Sequence, residues 1–224
     1  MVVAAYTVVI PAWNAADTIA EALDSVLSQT VPPERVIVVN DGSTDGTAEI
    51  VSRIEGPLEL VSQDNAGPGA ATTRGMAMVR TPYIATLDAD DLWLPDKMER
   101  QLAALEGTPG IDALFGQMAN FKGSRDNALL DQAYDGWSRT TMVIRTSAAQ
   151  AAGAIIDPAG GAGDMIDWLA RLREAGRTLV LEPRIVALRR IRPGSMTYGR
   201  KAEISKGYLQ VAREAMLRRR AGRG

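Results

Sequence analysis

No cysteine and no histidine occur among the 224 residues. The first absence excludes disulfides, thiolate nucleophiles and cysteine-ligated zinc. The second leaves carboxylates, lysine and tyrosine as the side chains able to act as a general base, and leaves any metal to oxygen ligands. Oxygen ligands suit hard divalent cations, magnesium or manganese. Aromatic residues make up only 5% of a chain that is 46% hydrophobic, so alanine, valine, leucine and isoleucine must fill the core. No apolar run approaches the roughly 18–20 residues of a membrane span, and no basic segment precedes the first short apolar stretch. The expectation is a cytoplasmic protein. Neither sign of charge dominates: 25 Lys and Arg stand against 27 Asp and Glu, which excludes a whole-molecule electrostatic binder of nucleic acid. Only the end of the chain is basic, at Arg213, Arg218, Arg219, Arg220 and Arg223. That run reads as a solvated helix end or, as the alternative, a weak peripheral contact with an anionic membrane surface.

What is present is an alternation of short β-branched runs with amphipathic helical patterns, at a length that fits one α/β domain. Strands are expected at 6–11, 36–39, 58–61 and 83–87, the first ending at Pro11. Asp17 is expected to cap a helix carrying Ile19, Ala22, Leu23, Val26 and Leu27 on one face, and Ser43 or Thr44 a second burying Ile50, Val51 and Ile54. The turn Asn65-Ala66-Gly67-Pro68-Gly69 opens a third, running to about Arg80. The later part predicts helices at 95–106, 164–175 and 202–220, and strands at 113–121, 141–144, 178–181 and 185–188. Residues 122–137 read as a polar, mobile insertion, and 92–94 as a turn. Strand–helix alternation implies a Rossmann-like, mostly parallel central sheet flanked by helices, with ligands beyond the carboxyl ends of the strands.

Three polar clusters fall at those ends: Trp13-Asn14, Asn40-Asp41 and Asp88-Ala89-Asp90-Asp91. Carboxylates as close as Asp88, Asp90 and Asp91 repel, and a divalent cation is one reason to tolerate them; helix capping by Asp90 or Asp91 is the alternative. Asp41 can accept a hydrogen bond from a base imide, or close an Asx-turn with no ligand. Trp13 can stack a planar base, or simply pack. Asp164 and Asp167 share a helical face, as a proton acceptor with a fallback, or as the N-cap (Asp164) and a first-turn acid (Asp167) of a helix.

The stretches VVIPAWNAADTIAEALDSVLSQT, VIVVNDGSTDGTAEIV and NAGPGAATTRGMAMVRTPYIATLDADDLWLPDKMERQ, in this order and spacing, resemble family 2 glycosyltransferases of the GT-A fold from Tyr6 to Gln101. A weaker likeness continues through Met142-Val-Ile-Arg and residues 164–176 to the 190–197 segment. The resemblance implies one GT-A domain over 1–224, with a nucleotide-sugar-binding half at 1–106, an acceptor and catalytic half at 107–200 and a basic helix at 201–224. It implies that Pro11, Ala12 and Trp13 contact the nucleotide base, that Asp41 reads it, and that Asp88 lies near ribose and metal while Asp90 binds the metal. The sequence departs from the family at three points. Ala71-Thr72-Thr73-Arg74-Gly75 stands where Ala-Arg-Asn-Arg-Gly is usual, keeping Arg74 near the donor. Counting back from Arg171-Leu172 puts Asp164 at the first position of an acidic pair and Met165 at the second, often the base itself. Arg192 replaces a common histidine and suits a diphosphate.

The implied function is transfer of a sugar from a nucleoside diphosphate, UDP by expectation, to an acceptor hydroxyl on a glycan, lipid or small molecule. Inversion, a magnesium or manganese ion, and Asp164 as base with Asp167 as fallback belong to the same expectation. A sugar-nucleotide-binding protein without transfer is the first rival, motivated by Thr72-Thr73 and Met165. A nucleotidyltransferase is the second, disfavoured because Ala12-Trp13-Asn14-Ala15 replaces the glycine-rich basic loop that class needs.

Overall fold

The computed structural model describes residues 4–158 and 163–192, together with Arg213, Met216 and Arg218. The first strand, β1 (Tyr6–Ala12), is buried along its whole length, and β2 (Arg35–Asp41) nearly so. With β3 (Leu58–Gln63) and β4 (Tyr83–Thr86) they form a parallel array in the order β3-β2-β1-β4. Alternate residues of these strands serve two different cores. Val8, Ile10, Val36 and Val38 meet α1 (Ile19–Leu27), α2 (Thr47–Arg53) and α4 (Lys97–Gly107). Val9, Ile37 and Val39 meet α3 (Pro68–Ala77), α5 (Thr146–Ala152) and α6 (Asp164–Glu174). Burial on both faces is why the strands read as unbroken apolar runs.

Beyond β4 the sheet turns mixed. The strands β8 (Val143–Arg145), β6 (Ala113–Phe121), β9 (Leu179–Arg190) and β5 (Leu92–Trp93) complete the path, and β7 (Tyr134–Asp135) pairs with β6. The whole is the expected α/β architecture, a central sheet flanked by helices. Several local expectations are corrected. Residues 92–93 form a strand against Ala187 and Leu188 rather than part of a turn. The two strands expected at 178–181 and 185–188 are one, following β6 across an irregular register near Gly116. Within the polar insertion at 122–137 lie two short 3-10 turns and β7, none of them expected. The short helix α5 was not anticipated, because its small residues give little periodicity.

Capping also differs. Thr18, not Asp17, precedes α1, without a side-chain cap. Asp45, not Ser43 or Thr44, accepts the Thr47 N–H at the start of α2 at 3.0 Å. That bond, two residues on, is the Asx-turn of this loop; Asn40 Oδ1 accepts the Ser43 N–H, three residues on, at 3.1 Å. Of the expected helix at 202–220, Arg213, Met216 and Arg218 are helical; the rest lies outside the described residues. No helix among the described residues is long and apolar enough to cross a membrane.

Candidate active site

Parallel pairing puts the carboxyl ends of β1, β2 and β4 side by side. The chain leaves β1 through Pro11 and Ala12 into Trp13, which is 56% exposed, and Asn14, in the left-handed region at φ 46°. Polar side chains tie this turn to the loop after β2. Asn14 Oδ1 accepts the Thr44 N–H at 2.9 Å, Ser43 Oγ accepts the Asn14 N–H at 3.0 Å, and Thr47 Oγ1 accepts the Ala15 N–H at 2.9 Å. Trp13 is therefore an exposed ring on an anchored turn.

Asp41, at the tip of β2, is only 2% exposed. Its carboxylate accepts Gln63 Nε2 at 2.7 Å, Ala66 N at 2.9 Å and Gly67 N at 2.9 Å. It is thus the clamp of the 65–67 loop. A carboxylate offers about four acceptor positions, so three bonds leave room for one more. The close approach explains Gly42: at φ 71°, an added Cβ would stand 2.8 Å from Asn65 N. Arg74 is exposed in the last turn of α3.

The Asp88–Asp91 segment is a tight turn, with Asp91 N donating to Asp88 O at 3.1 Å. The three carboxylates have different fates. Asp91 is buried and accepts Thr140 Oγ1 at 2.6 Å and the Arg190 N–H at 3.0 Å. Burial, then the charges of Asp90 and Asp88, push its pKa well above the usual carboxylate range. Asp90 has Arg192 Nε 3.5 Å from its Oδ2; burial and then Asp88 raise its pKa against the pull of Arg192. Asp88 remains one-third exposed and accepts Arg139 Nε at 3.0 Å. Asp88 and Asp90 are the carboxylates with both exposure and mutual repulsion, the chemistry that fits a hard cation. No group of three or more acids able to hold a metal occurs among the described residues.

Arg139, absent from the sequence-based expectations, is the centre of the cluster. Its side chain is 7% exposed and pairs with Asp88 through Nε and with Asp164 through Nη1. Burial opposes its charge, yet Asp88 and Asp164 outweigh that and hold the guanidinium more firmly protonated than an ordinary arginine. The 3-10 turn Arg139–Thr141 that carries it is fixed to the β4 end by three bonds: Thr86 Oγ1 to Arg139 O at 2.7 Å, Trp93 Nε1 to Thr140 O at 2.7 Å, and Thr140 Oγ1 to Asp91. A surplus of acids at strand tips was the available signal that a buried cation must stand nearby.

Asp164 opens α6 and meets Asp88 across Arg139. Gly163, not Asp164, is the residue that precedes the helix. Asp167, the fallback base, is directed elsewhere: its carboxylate accepts Arg171 Nε at 2.9 Å and Arg218 Nη2 at 2.7 Å. The basic tail thereby sends one arginine inward to α6, where Arg218 also meets Glu174. Met165 packs in the core below. A second unanticipated residue, Asp157, accepts the Gly69 N–H at 2.9 Å and the Ala70 N–H at 3.1 Å, capping α3 from the far half of the chain. Burial raises its pKa, these bonds oppose it, and Asp164 adds to the rise.

Comparison with known proteins gives the arrangement its context. The computed structure resembles S. aureus TarS in complex with UDP-GlcNAc, with a TM-score of 0.75 at 20% identity over 95% of this chain and 66% of that one. It also resembles the mannosyltransferase PcManGT from Pyrobaculum calidifontis in complex with GDP-Man and Mn2+, with a TM-score of 0.73 at 20% identity over 95% and 64%. At such identities the likeness establishes the fold. In sequence the chain is 41% identical over 98 residues to the succinoglycan biosynthesis protein ExoO of Rhizobium meliloti, covering 43% of this chain and 28% of that protein. It is 37% identical over 100 residues to the putative teichuronic acid biosynthesis glycosyltransferase TuaG of Bacillus subtilis, covering 43% and 40%. The chain matches less than half the length of either relative. The model of glycosyl transferase family 2 matches residues 7–159, which takes in every strand tip described above as well as Arg139 and Asp157. On that match, and on the fold that accompanies it, the chain belongs to glycosyl transferase family 2.

Proposed function

We propose that this protein transfers a sugar from a nucleoside diphosphate, UDP in the first instance, to a hydroxyl of a glycan, lipid or small-molecule acceptor, with inversion. The observation that carries the reading is the pair Asp88 and Asp90 at the tip of a central parallel strand, Asp90 facing Arg192. Trp13 stacks the base, and Asp41, beside holding the 65–67 loop, offers its remaining acceptor position to the base imide. Pro11 and Ala12 form the floor on which the base lies, and Arg74 lies along the donor side. Asp88 and Asp90 would hold a magnesium or manganese ion, whose charge offsets that developing on the departing diphosphate. Arg192 pairs with diphosphate oxygens on the same side. Asp164 accepts the proton of the acceptor hydroxyl as its oxygen bonds to the anomeric carbon and the bond to the diphosphate breaks. The family resemblance supports the division into a donor half to residue 106 and an acceptor half from 107 to 200.

A panel of UDP- and GDP-linked sugars with and without Mn2+, read by thermal shift, tests donor and cation together, since a ligand selective for the folded state raises Tm. Asp90→Ala should abolish the Mn2+-dependent part of both the shift and donor hydrolysis. Unchanged hydrolysis in that variant would end the cation assignment. One observation favours a second reading, a donor-binding protein without transfer: Asp164 and Asp167 are both held by arginines and Met165 is in the core. Calorimetric binding of UDP with neither hydrolysis nor transfer across the panel would select it.

A further inference from the structure

Arg139 has no part in the donor contacts proposed above, yet it sits between the carboxylate nearest the donor and the carboxylate proposed as base. The charges around it explain why. Asp88, Asp90, Asp91 and Asp164 bring four acids to one pocket edge, and each already has a partner from the protein. Asp91 takes a hydroxyl and a backbone N–H, Asp90 faces Arg192 at 3.5 Å, and Asp88 and Asp164 share the single guanidinium of Arg139. A bare divalent cation arriving at Asp88 meets a buried positive charge 3.0 Å from Oδ1. The repulsion acts in a poorly solvated setting, where it is worth far more than in water. A cation arriving with a nucleoside diphosphate meets the same guanidinium, but brings negative oxygens that answer it.

We infer that Arg139 is a positioning residue that makes cation binding depend on the nucleotide: it takes the place of part of the cation's charge on Asp88, while holding Asp164 in line with the donor end. The inference rests on the proposed Asp88–Asp90 cation site. It differs from a scaffolding role in sign. If Arg139 merely shaped the pocket, its loss would weaken every cation; as a competing charge, its loss must strengthen binding of the cation alone.

The test measures free Mn2+ by its electron paramagnetic resonance signal, with and without UDP, on the full chain, its fold checked by circular dichroism. Wild type should bind Mn2+ weakly alone and much more tightly with UDP. Arg139→Gln should bind Mn2+ alone about tenfold or more tightly than wild type, since removing a unit charge within a few ångströms of a divalent ion exceeds 1.4 kcal/mol at any interior dielectric. The advantage conferred by UDP should shrink accordingly, and donor hydrolysis should fall through kcat. Arg139→Lys, which keeps the charge, should retain the wild-type dependence on UDP. Arg139→Gln leaves Asp164 as a buried charge without its partner and can unfold the chain. The double variant Arg139→Gln/Asp164→Asn removes the pair together and should still tighten at Asp88, by less than Arg139→Gln because the more distant negative charge of Asp164 goes with it. Tightening in either folded variant supports the inference; equal or weaker Mn2+ binding in both, with wild type still taking up Mn2+ and UDP together, overturns it while leaving the cation site standing. Wild type that binds no Mn2+ even with UDP overturns both.

Discussion

Replacing Gly75 with alanine tests how closely α3 is fitted to the sheet. An alanine Cβ there would stand 2.4 Å from Val9 Cγ1 and 3.2 Å from Val39 Cγ2. Contacting carbons settle at roughly 3.5–4.0 Å, so either the helix retreats by about 1 Å or Val9 abandons its rotamer. Val9 is wholly buried on β1, between β2 and β4, and a β-branched side chain has little rotamer freedom to give. Overpacking of this kind costs about 1–3 kcal/mol, whereas Gly to Ala inside a helix returns about 1 kcal/mol. The two leave a net loss of up to about 2 kcal/mol, and the depth of the overlap with Val9 places Gly75→Ala in the upper half of that range, about 1–2 kcal/mol. In a domain of this size that lowers Tm by roughly 2–8 °C. The assay is thermal and urea unfolding of the parent, Gly75→Ala, Val9→Ala and the double variant. Trimming Val9 to alanine makes room for the new methyl, so the double variant should be more stable than the sum of the single effects by about 1 kcal/mol. A Gly75→Ala protein at least as stable as the parent would refute the close-packing account, and so would a strictly additive cycle. UDP affinity supplies a second readout, because the retreating helix carries Arg74 and follows directly on the loop clamped by Asp41.

Trp13→Ala should weaken UDP binding by about 1–3 kcal/mol, the usual worth of a base stacked on an aromatic ring, with loss of the fluorescence change that UDP causes in the parent; unaltered affinity would remove the stacking role. Burial drives the Lys97 amine well below the ordinary lysine range, with Glu182 the opposing influence. The unfolded chain then holds a proton that the folded chain gives up, so unfolding free energy should climb with pH, by at most about 1.4 kcal/mol per unit, from the depressed folded value to the ordinary lysine one. Urea titrations of Lys97→Met should lack that climb; an identical slope would mean that Lys97 stays charged inside. Asp157→Ala should cost about 1–2 kcal/mol, as a lost helix cap does. Asp157→Asn should cost distinctly less, because it can still accept a bond and relieves the charge that burial and Asp164 disfavour; thermal unfolding of both variants separates the two effects.

How much of this was legible in the sequence depended on how local the physics was. The strands β1, β2 and β4 were readable because burial on both faces demands unbroken apolar runs, and their tips followed from where the runs stop. Val38-Val39-Asn40-Asp41 and Ala85-Thr86-Leu87-Asp88 announce both the strand and the place where it meets water. The pair Leu92–Trp93 was unreadable, because two residues make no period and only Ala187 and Leu188, some 95 positions on, make them a strand. The same holds at the site. Asp88, Asp90 and Asp41 stood out as acids at strand ends. Arg139 did not, since its meaning lies in partners 51 and 25 residues away. Asp157 reaches 88 residues back to Gly69. Asp41 lies at a strand tip as its position in the run implied, but of the three donors that occupy it Gln63 ends β3 and the other two belong to the loop that β3 pairing returns to β2.

The bracket at Arg139–Thr141 also has a bearing on how such a protein can change its clientele. It begins directly after the segment between Phe121 and Ser138, and its bonds to Thr86, Asp91 and Trp93 all run to the end of β4 and to β5. A graft that lengthens or swaps the intervening turns leaves those three bonds untouched. On the proposed function, diversity in what is glycosylated would accumulate upstream of the bracket while the acids and their guanidinium stay in register, much as a chuck holds its alignment when the bit is exchanged.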